Sequence, residues 1–451
     1  MGWMVKRLRV LSGDAGVWLL LAPLALCMAR AVQAQGSTSF PTNHPKAGKE
    51  RPLPDRLPNK PTLPPIFSVP VEPLGFSAPG PIYLGQRNTL ASLDFFDENR
   101  LLFTFRVPGL MHREAGSDEW RDERQIRAVV LALPSGAVTA EAMWTVHDRV
   151  RYLWMLKDGR FLLRNRDGIE QGDATLEMKP FLHFPGPLLW MEIDPSQQYL
   201  VTNSREPAEE VEKPGDVPSP PAAQAGMSVD GEKPGVSDLV VRILRRDSGK
   251  VLLVSRTRAA VHLPINSEGF VETLRGDGEQ WLLNLNYFSG GSTVLGHVNS
   301  RCTPNIDFIS QRQLLVTACD SAGGHRLVAM GTSGHRFWES LSSPQAIWPL
   351  LVMAPDGSRL VRETLAVNHE INAYSPIDSE DIKGQLVRVL DAANGKVALD
   401  APASPPLDAG GNVAISPSGR RVAVLNAGSI EVFELPAPPS LADDAKAKAG
   451  H

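Results

Sequence analysis

Apolar runs alternate with short polar turns along most of the chain, and one phrase returns about every 35–60 residues. An apolar strand leads into a tight turn rich in Asp, Gly or Pro, and a second apolar strand follows. Clear copies are MLKDGRFLL (155–163), EIDPSQQYLVT (192–202), TLRGDGEQWLL (273–283), VMAPDGSRLVR (352–362) and AISPSGRRVAVL (414–425); DFFDENRLLF (94–103) and DFISQRQLLV (307–316) keep the rhythm in weaker form. A second hairpin recurs later in most units, as in DLVVRILRRDSGKVLLVS (238–255) and QLVRVLDAANGKVALD (385–400), with β-branched strands around a Gly-containing turn. Two hairpins make a four-stranded sheet, too small to bury its own faces, so the units must stack. The pattern predicts an all-β fold: one seven-bladed β-propeller of four-stranded antiparallel blades, at about 88–148, 149–186, 187–264, 265–300, 301–345, 346–408 and 409–437.

The last unit supplies three strands, GNVAIS, RRVAVLN and SIEVFELP, and GPIYLGQ (80–86) has no unit of its own. Pairing 80–86 beside the last blade would close the ring and remove two open sheet edges, so the domain is expected to run over 80–437. Residues 35–79 hold prolines from Pro41 to Pro79 among polar and basic residues and read as a disordered linker. Residues 206–237 carry acids and prolines with almost no large apolar side chain, a disordered insertion by composition, and the tail 438–451 reads the same way.

Composition agrees with a turn-dense β protein, with 38 Gly and 38 Pro in 451 residues. At the start, Lys6, Arg7 and Arg9 precede the apolar stretch VWLLLAPLALCMA (17–29), and Val32-Gln33-Ala34 offers small residues at a cleavage site. This is the pattern of a signal peptide cut after Ala34, too short in its apolar part for a transmembrane span. Cleavage removes four basic residues and Asp14, taking the formal charge from −4 to −7. No basic stripe remains, which argues against nucleic acid as a partner. The expected location is periplasmic or secreted, and the expected state a monomer. Of the three cysteines, Cys302 and Cys319 survive cleavage and flank a hairpin almost symmetrically. In an oxidising compartment that placement predicts a disulfide across the first two strands of the fifth blade, the alternative being two buried thiols.

In a four-stranded meander, the connection between strands two and three lies at the same end as the crossover to the next blade. The long excursions 108–124, 204–237 and 367–384 therefore gather at one end, and the tight turns lie at the other. Loops on a rigid scaffold are where binding usually resides. The histidines follow them: His147, His183, His262 and His297 near crossovers, His112 and His369 in long loops. With Asp148 and Arg149 beside His147, these eight residues form the candidate binding face. No HExxH, CxxC or HxH spacing supports a metal, no GxSxG supports a nucleophile, and no cofactor is expected. A crossover His is more often a structural hydrogen-bonding residue than a ligand, and the tryptophans, in strands, are expected to pack between blades.

The PDG-type hairpins and D-x-x-x-G-K turns, above all VMAPDGSRLVR with VRVLDAANGKVALD, resemble bacterial exported propellers of the WD40-like, YVTN and quinoprotein-like superfamily over roughly 88–435. LVAMGTSGHRFWE (327–339) looks like one tryptophan-docking turn of the quinoprotein dehydrogenases, but their eight-fold repetition and vicinal disulfide are missing. The resemblance implies an architecture and no specific activity. The function expected is a non-catalytic binding scaffold whose partner is another exported protein or a small ligand. The alternative is a lactonase-like hydrolase with a metal or His-based site on the same face.

Overall fold

The computed structural model describes residues 9–10, 56–78, 91–107, 123–147, 151–207, 237–257, 261–321, 323–369, 379–407 and 410–438. The strand expected at 80–86 and most of the acidic insertion lie outside them, as does the proposed signal peptide except Arg9–Val10, a two-residue strand beside Val251–Thr257.

Seven antiparallel sheets follow one another along the chain. Blade one is Ser92–Asp97, Arg100–Arg106, Arg124–Ala132 and Ala137–Val146. Blade two is Leu153–Met155, Arg160–Asn165, Gly168–Asp173 and Lys179–His183. Blade three is Leu188–Ile193, Tyr199–Pro207, Ser237–Arg245 and Val251–Thr257. Blade five is Asn305–Ser310, Gln313–Cys319, His325–Gly331 and Arg336–Leu341; blade six is Ala346–Met353, Arg359–Val367, Ile382–Asp391 and Val397–Ala403. Within each, strands pair in chain order, the first lying innermost.

Among the described residues the core is divided into seven hydrophobic clusters, one at each junction between neighbouring blades. Side chains alternate across each strand, so a blade sends one set of apolar residues to each neighbour. Blade two shows the division: Phe161 and Leu163 join blade one's cluster, while Leu162 and Ile169 join blade three's. One cluster joins Leu101, Phe103 and Leu131 of blade one to Ala423, Leu425 and Val432 at the end of the chain, which makes the array a closed ring.

Blade four is built one strand differently from the sequence reading. Residues 261–266 take the innermost position as an irregular strand, tied to the next by Asn266 N–H to Gly269 O at 2.9 Å, Val271 N–H to Pro264 O at 2.9 Å and a bridge between Ile265 and Phe270. Gly269–Arg275, Gln280–Tyr287 and Ser292–Asn299 are then the second to fourth strands. The boundary placed between 264 and 265 therefore falls inside this blade. TLRGDGEQWLL is its second-to-third hairpin, with its turn at the crossover end, where Ser300 N–H reaches Glu279 O at 2.8 Å. Pro264 removes a ladder donor and hides this strand from a pattern search.

Closure also differs. Blade seven holds Val413–Ile415, Arg421–Asn426 and Ser429–Glu434, and its fourth, outermost strand is Phe67–Pro70, antiparallel to the last of these. This segment falls within the supposed linker 35–79. Prolines exclude interior strand, but an edge strand needs hydrogen bonds on one side only, and Ile66-Phe67-Ser68-Val69 supplies four proline-free residues before Pro70. Beyond it, Val71 donates to Gly428 O at 3.0 Å, a 3-10 turn spans Glu72–Leu74, and Val69, Val71, Leu74 and Phe76 are buried against blades one and seven.

The Cys302–Cys319 disulfide is formed, with a Cα separation of 5.6 Å. Cys319 ends the second strand of blade five, and Cys302 lies three residues before the first. The bridge thus pins the crossover from blade four, assisted by Cys319 N–H to Ser300 Oγ at 2.9 Å. The closed loop separates its cysteines by 17 positions. A Cys302→Ser/Cys319→Ser variant should therefore lose about 3 kcal/mol of stability, measured by denaturant unfolding. An unchanged midpoint would show that the neighbouring hydrogen bonds hold the crossover alone.

Candidate functional site

The innermost strands surround the ring axis, and an unbroken arc of them is charged. Asp94 lies on the inner strand of blade one, Arg151 just before that of blade two, Glu192 on blade three, His262 on blade four and Asp307 on blade five. Signs alternate around the arc. Asp94, Glu192 and Asp307 are half-buried, and Arg151 and His262 are more exposed.

His262 is the best-defined member. Its Nε2 lies 2.7 Å from Ile306 O, and its Nδ1 is in close contact with Glu192 Oε1. A backbone carbonyl can only accept, so Nε2 carries a proton, and the ion pair with Glu192 places another on Nδ1. Burial alone would lower the pKa of this imidazole. The hydrogen bond and charge of Glu192, the charge of Asp307 and the Ile306 carbonyl outweigh it and raise the value to about 9. Glu192 also accepts from Trp190 Nε1 at 3.0 Å.

Both ends of the arc are carboxylates. Asp94 accepts from Ser92 Oγ at 2.5 Å, and Asp307 from Asn305 Nδ2 at 2.8 Å. Burial pushes Asp94 up to about 6 against the opposing pull of Ser92 and Arg151. Burial does the same to Asp307, with Glu192 adding to it and His262 and Asn305 opposing. Arg151 donates Nε–H to Leu153 O at 3.1 Å and lies over the Trp154 ring at 5.3 Å from its centroid.

Of the eight residues singled out in the sequence, the five that are described do not converge. His112, Asp148 and Arg149 lie outside the described residues. His147 is buried, donating from Nδ1 to Asn165 Oδ1 at 2.6 Å with Nε2 3.4 Å from Glu123, a link between blades one and two. His183 and His369 are exposed, 3.8 Å from Asp167 and 3.7 Å from Asp381 respectively. His297 is exposed on the outer strand of blade four. His262 alone joins the arc, and it sits in an inner strand rather than a crossover. Among the described residues no three His, Cys, Asp or Glu side chains converge as a metal site.

The other four members were missed, although two carried a signal. Asp94 and Asp307 stand six residues before Arg100 and Gln313, where blades six and seven have Met353 and Ile415 before Arg359 and Arg421. A carboxylate at an apolar position of the repeated phrase marks those two strands.

The fold and site define the class, an all-β seven-bladed propeller with an arc of charged residues along its innermost strands. The sequence matches no protein-family model and none of the curated proteins. Similar solved structures include the acylaminoacyl peptidase of Pyrococcus horikoshii, at 10% identity and TM-score 0.44 over 80% of this chain. This chain spans about half of that peptidase (54%). The β-propeller domain of the Trilobed protease from Pyrococcus furiosus is similar at 10% identity and TM-score 0.39, over 78% of this chain and 97% of that one.

Proposed function

We propose that the protein is an exported, non-catalytic binding scaffold whose recognition face is the crossover end of the ring, formed by loops 108–124 and 367–384 and the blade crossovers. The observation that carries this reading is the asymmetry of the connections. Second and third strands are joined by residues 107–123 in blade one and 368–381 in blade six, whereas the first-to-second turns at the opposite end are only a few residues long. The chemistry of the histidines supports a scaffold as well: His147 and His262 spend their ring nitrogens on other blades. The disulfide is compatible with export, and among the described residues no helix is long and apolar enough to cross a membrane.

Affinity capture from a periplasmic extract, using full-length protein and variants with 108–124 or 367–384 shortened, tests the reading. A specific exported partner lost with either loop is the expected result. Lactone hydrolysis by purified protein, abolished in His147→Ala, would replace the scaffold with the hydrolase.

A further inference from the structure

A cavity of about 560 Å³ lies where the chain crosses from blade four to blade five. One wall is Arg275 and Trp281, cross-strand partners in blade four, with Glu279 from the turn between them. The other is Ser300, Arg301 and Cys302 of the crossover itself. Trp281 alternates with Leu282 and shares the side of Leu283 and Leu285, which pack into the junction with blade five, so the indole faces that junction. The cavity therefore opens at the crossover end of the ring. We propose that it binds a carboxylate carried on an extended peptide of an exported partner. This deepens the scaffold reading and rests on it, giving the recognition face a chemistry.

Size, charge and rigidity carry the assignment. The volume lies within the range of small-ligand sites, roughly 300–1,000 Å³, and admits a side chain with its flanking backbone. The Arg275 guanidinium rests over the Trp281 ring, 5.8 Å from its centroid, which limits the directions its fork can take. Arg301 meets Glu279 Oε1 through Nε at 3.3 Å, leaving its two terminal nitrogens for a ligand. Two arginines and one glutamate give the lining a single net positive charge, matched by a carboxylate and exceeded by a dianionic phosphate. Asp277, in the same turn, is exposed and does not line the cavity. The crossover wall is held on every side. Trp281 Nε1–H donates to Ser300 O at 3.0 Å, Ser300 N–H to Glu279 O at 2.8 Å and Arg301 N–H to Cys319 O at 3.3 Å, and the Cys302–Cys319 disulfide fixes the wall to blade five. A site braced in this way loses little freedom when it binds.

NMR titration of the purified protein tests the site at the Trp281 indole N–H, whose signal is assigned by its loss in Trp281→Phe. Acetyl-Gly-Glu-Gly-amide should shift that signal, and acetyl-Gly-Gln-Gly-amide should not. Acetyl-Gly-Gly-Gly with a free C-terminus separates the sources of the carboxylate: tighter binding than the Glu peptide assigns the site to a chain terminus, and weaker binding to an acidic side chain. Affinity should fall at least about tenfold in Arg275→Gln and in Arg301→Gln, and rise about threefold in Glu279→Gln, which frees Arg301 and adds to the positive charge. All three side chains are exposed, so the variants should fold, and a merely structural role for Glu279 would not tighten binding. An indole signal unmoved by both acidic peptides, equal binding of the Gln peptide, unchanged affinity in both arginine variants, or tighter binding of inorganic phosphate would each overturn the proposal. The titration uses neither long loop. Failed affinity capture with peptide binding intact would therefore overturn the scaffold reading and leave the carboxylate site standing.

Discussion

A chain that starts at residue 79, without the closing strand, should lose most of its stability. Phe67–Pro70 completes blade seven, and the residues after it bury Val69, Val71, Leu74 and Phe76 where the last blade meets the first. Four buried apolar side chains at about 1.5–3 kcal/mol each put the loss on the order of 6–12 kcal/mol. That is comparable with the whole stability of an ordinary domain. The truncated protein should aggregate on expression or melt more than about 10 °C lower by differential scanning calorimetry. Val69→Asp is the sharper probe, since Val69 lies directly over Gly136 of blade one's last turn and would carry an unpaired charge into the core. If the truncated chain melted like the full one, the pairing of 67–70 with the last strand would have no part in closing the ring.

The same strand shows where sequence pattern succeeds and where it stops. MLKDGRFLL and VMAPDGSRLVR state their hairpins openly, because a tight turn with glycine at positive φ is a local requirement: Gly357 has φ +74°, and a Cβ there would crowd Ile309 O at 3.1 Å. Nothing local assigns a hairpin its place in a blade. TLRGDGEQWLL has the same form but serves as the second hairpin of blade four, because VHLPIN, interrupted by Pro264, fills the inner position. An edge strand of four residues among prolines gives no period to count, so Phe67–Pro70 becomes visible only through its partner at Ser429–Glu434. The site was legible in fragments. His262 drew notice as a histidine, Asp94 and Asp307 stood inside recognised phrases, and the arc that unites them is a property of the ring. Ion pairs such as Glu192–His262 join residues far apart in sequence that the packing of one blade on the next brings together.

Glu363→Gln should make the protein more resistant to alkaline pH. Glu363 lies on the second strand of blade six, 1% exposed, and accepts from Gln385 Nε2 at 2.6 Å. Burial pushes its carboxyl up to about 8 from an ordinary 4.5, while the Gly411 amide and Gln385 pull the other way without cancelling it. A folded-state pKa above the unfolded value means that the fold prefers the protonated acid. The stabilising contribution is complete below pH 4.5 and is lost as pH rises through 8. Over that range the loss is on the order of 5 kcal/mol. Glutamine keeps the shape and an acceptor for Gln385 but cannot ionise. Melting curves of the two proteins should therefore run close together at pH 4–5 and separate steadily towards pH 9, with the variant the more stable. Asp94 and Asp307, raised to about 6, and His262, raised to about 9, also weaken the fold as pH rises, over the lower and upper parts of the range. They are common to both proteins and cancel in the difference. A separation that does not change with pH would show that Glu363 titrates at its ordinary value in the folded protein, as it would if water reached its carboxylate.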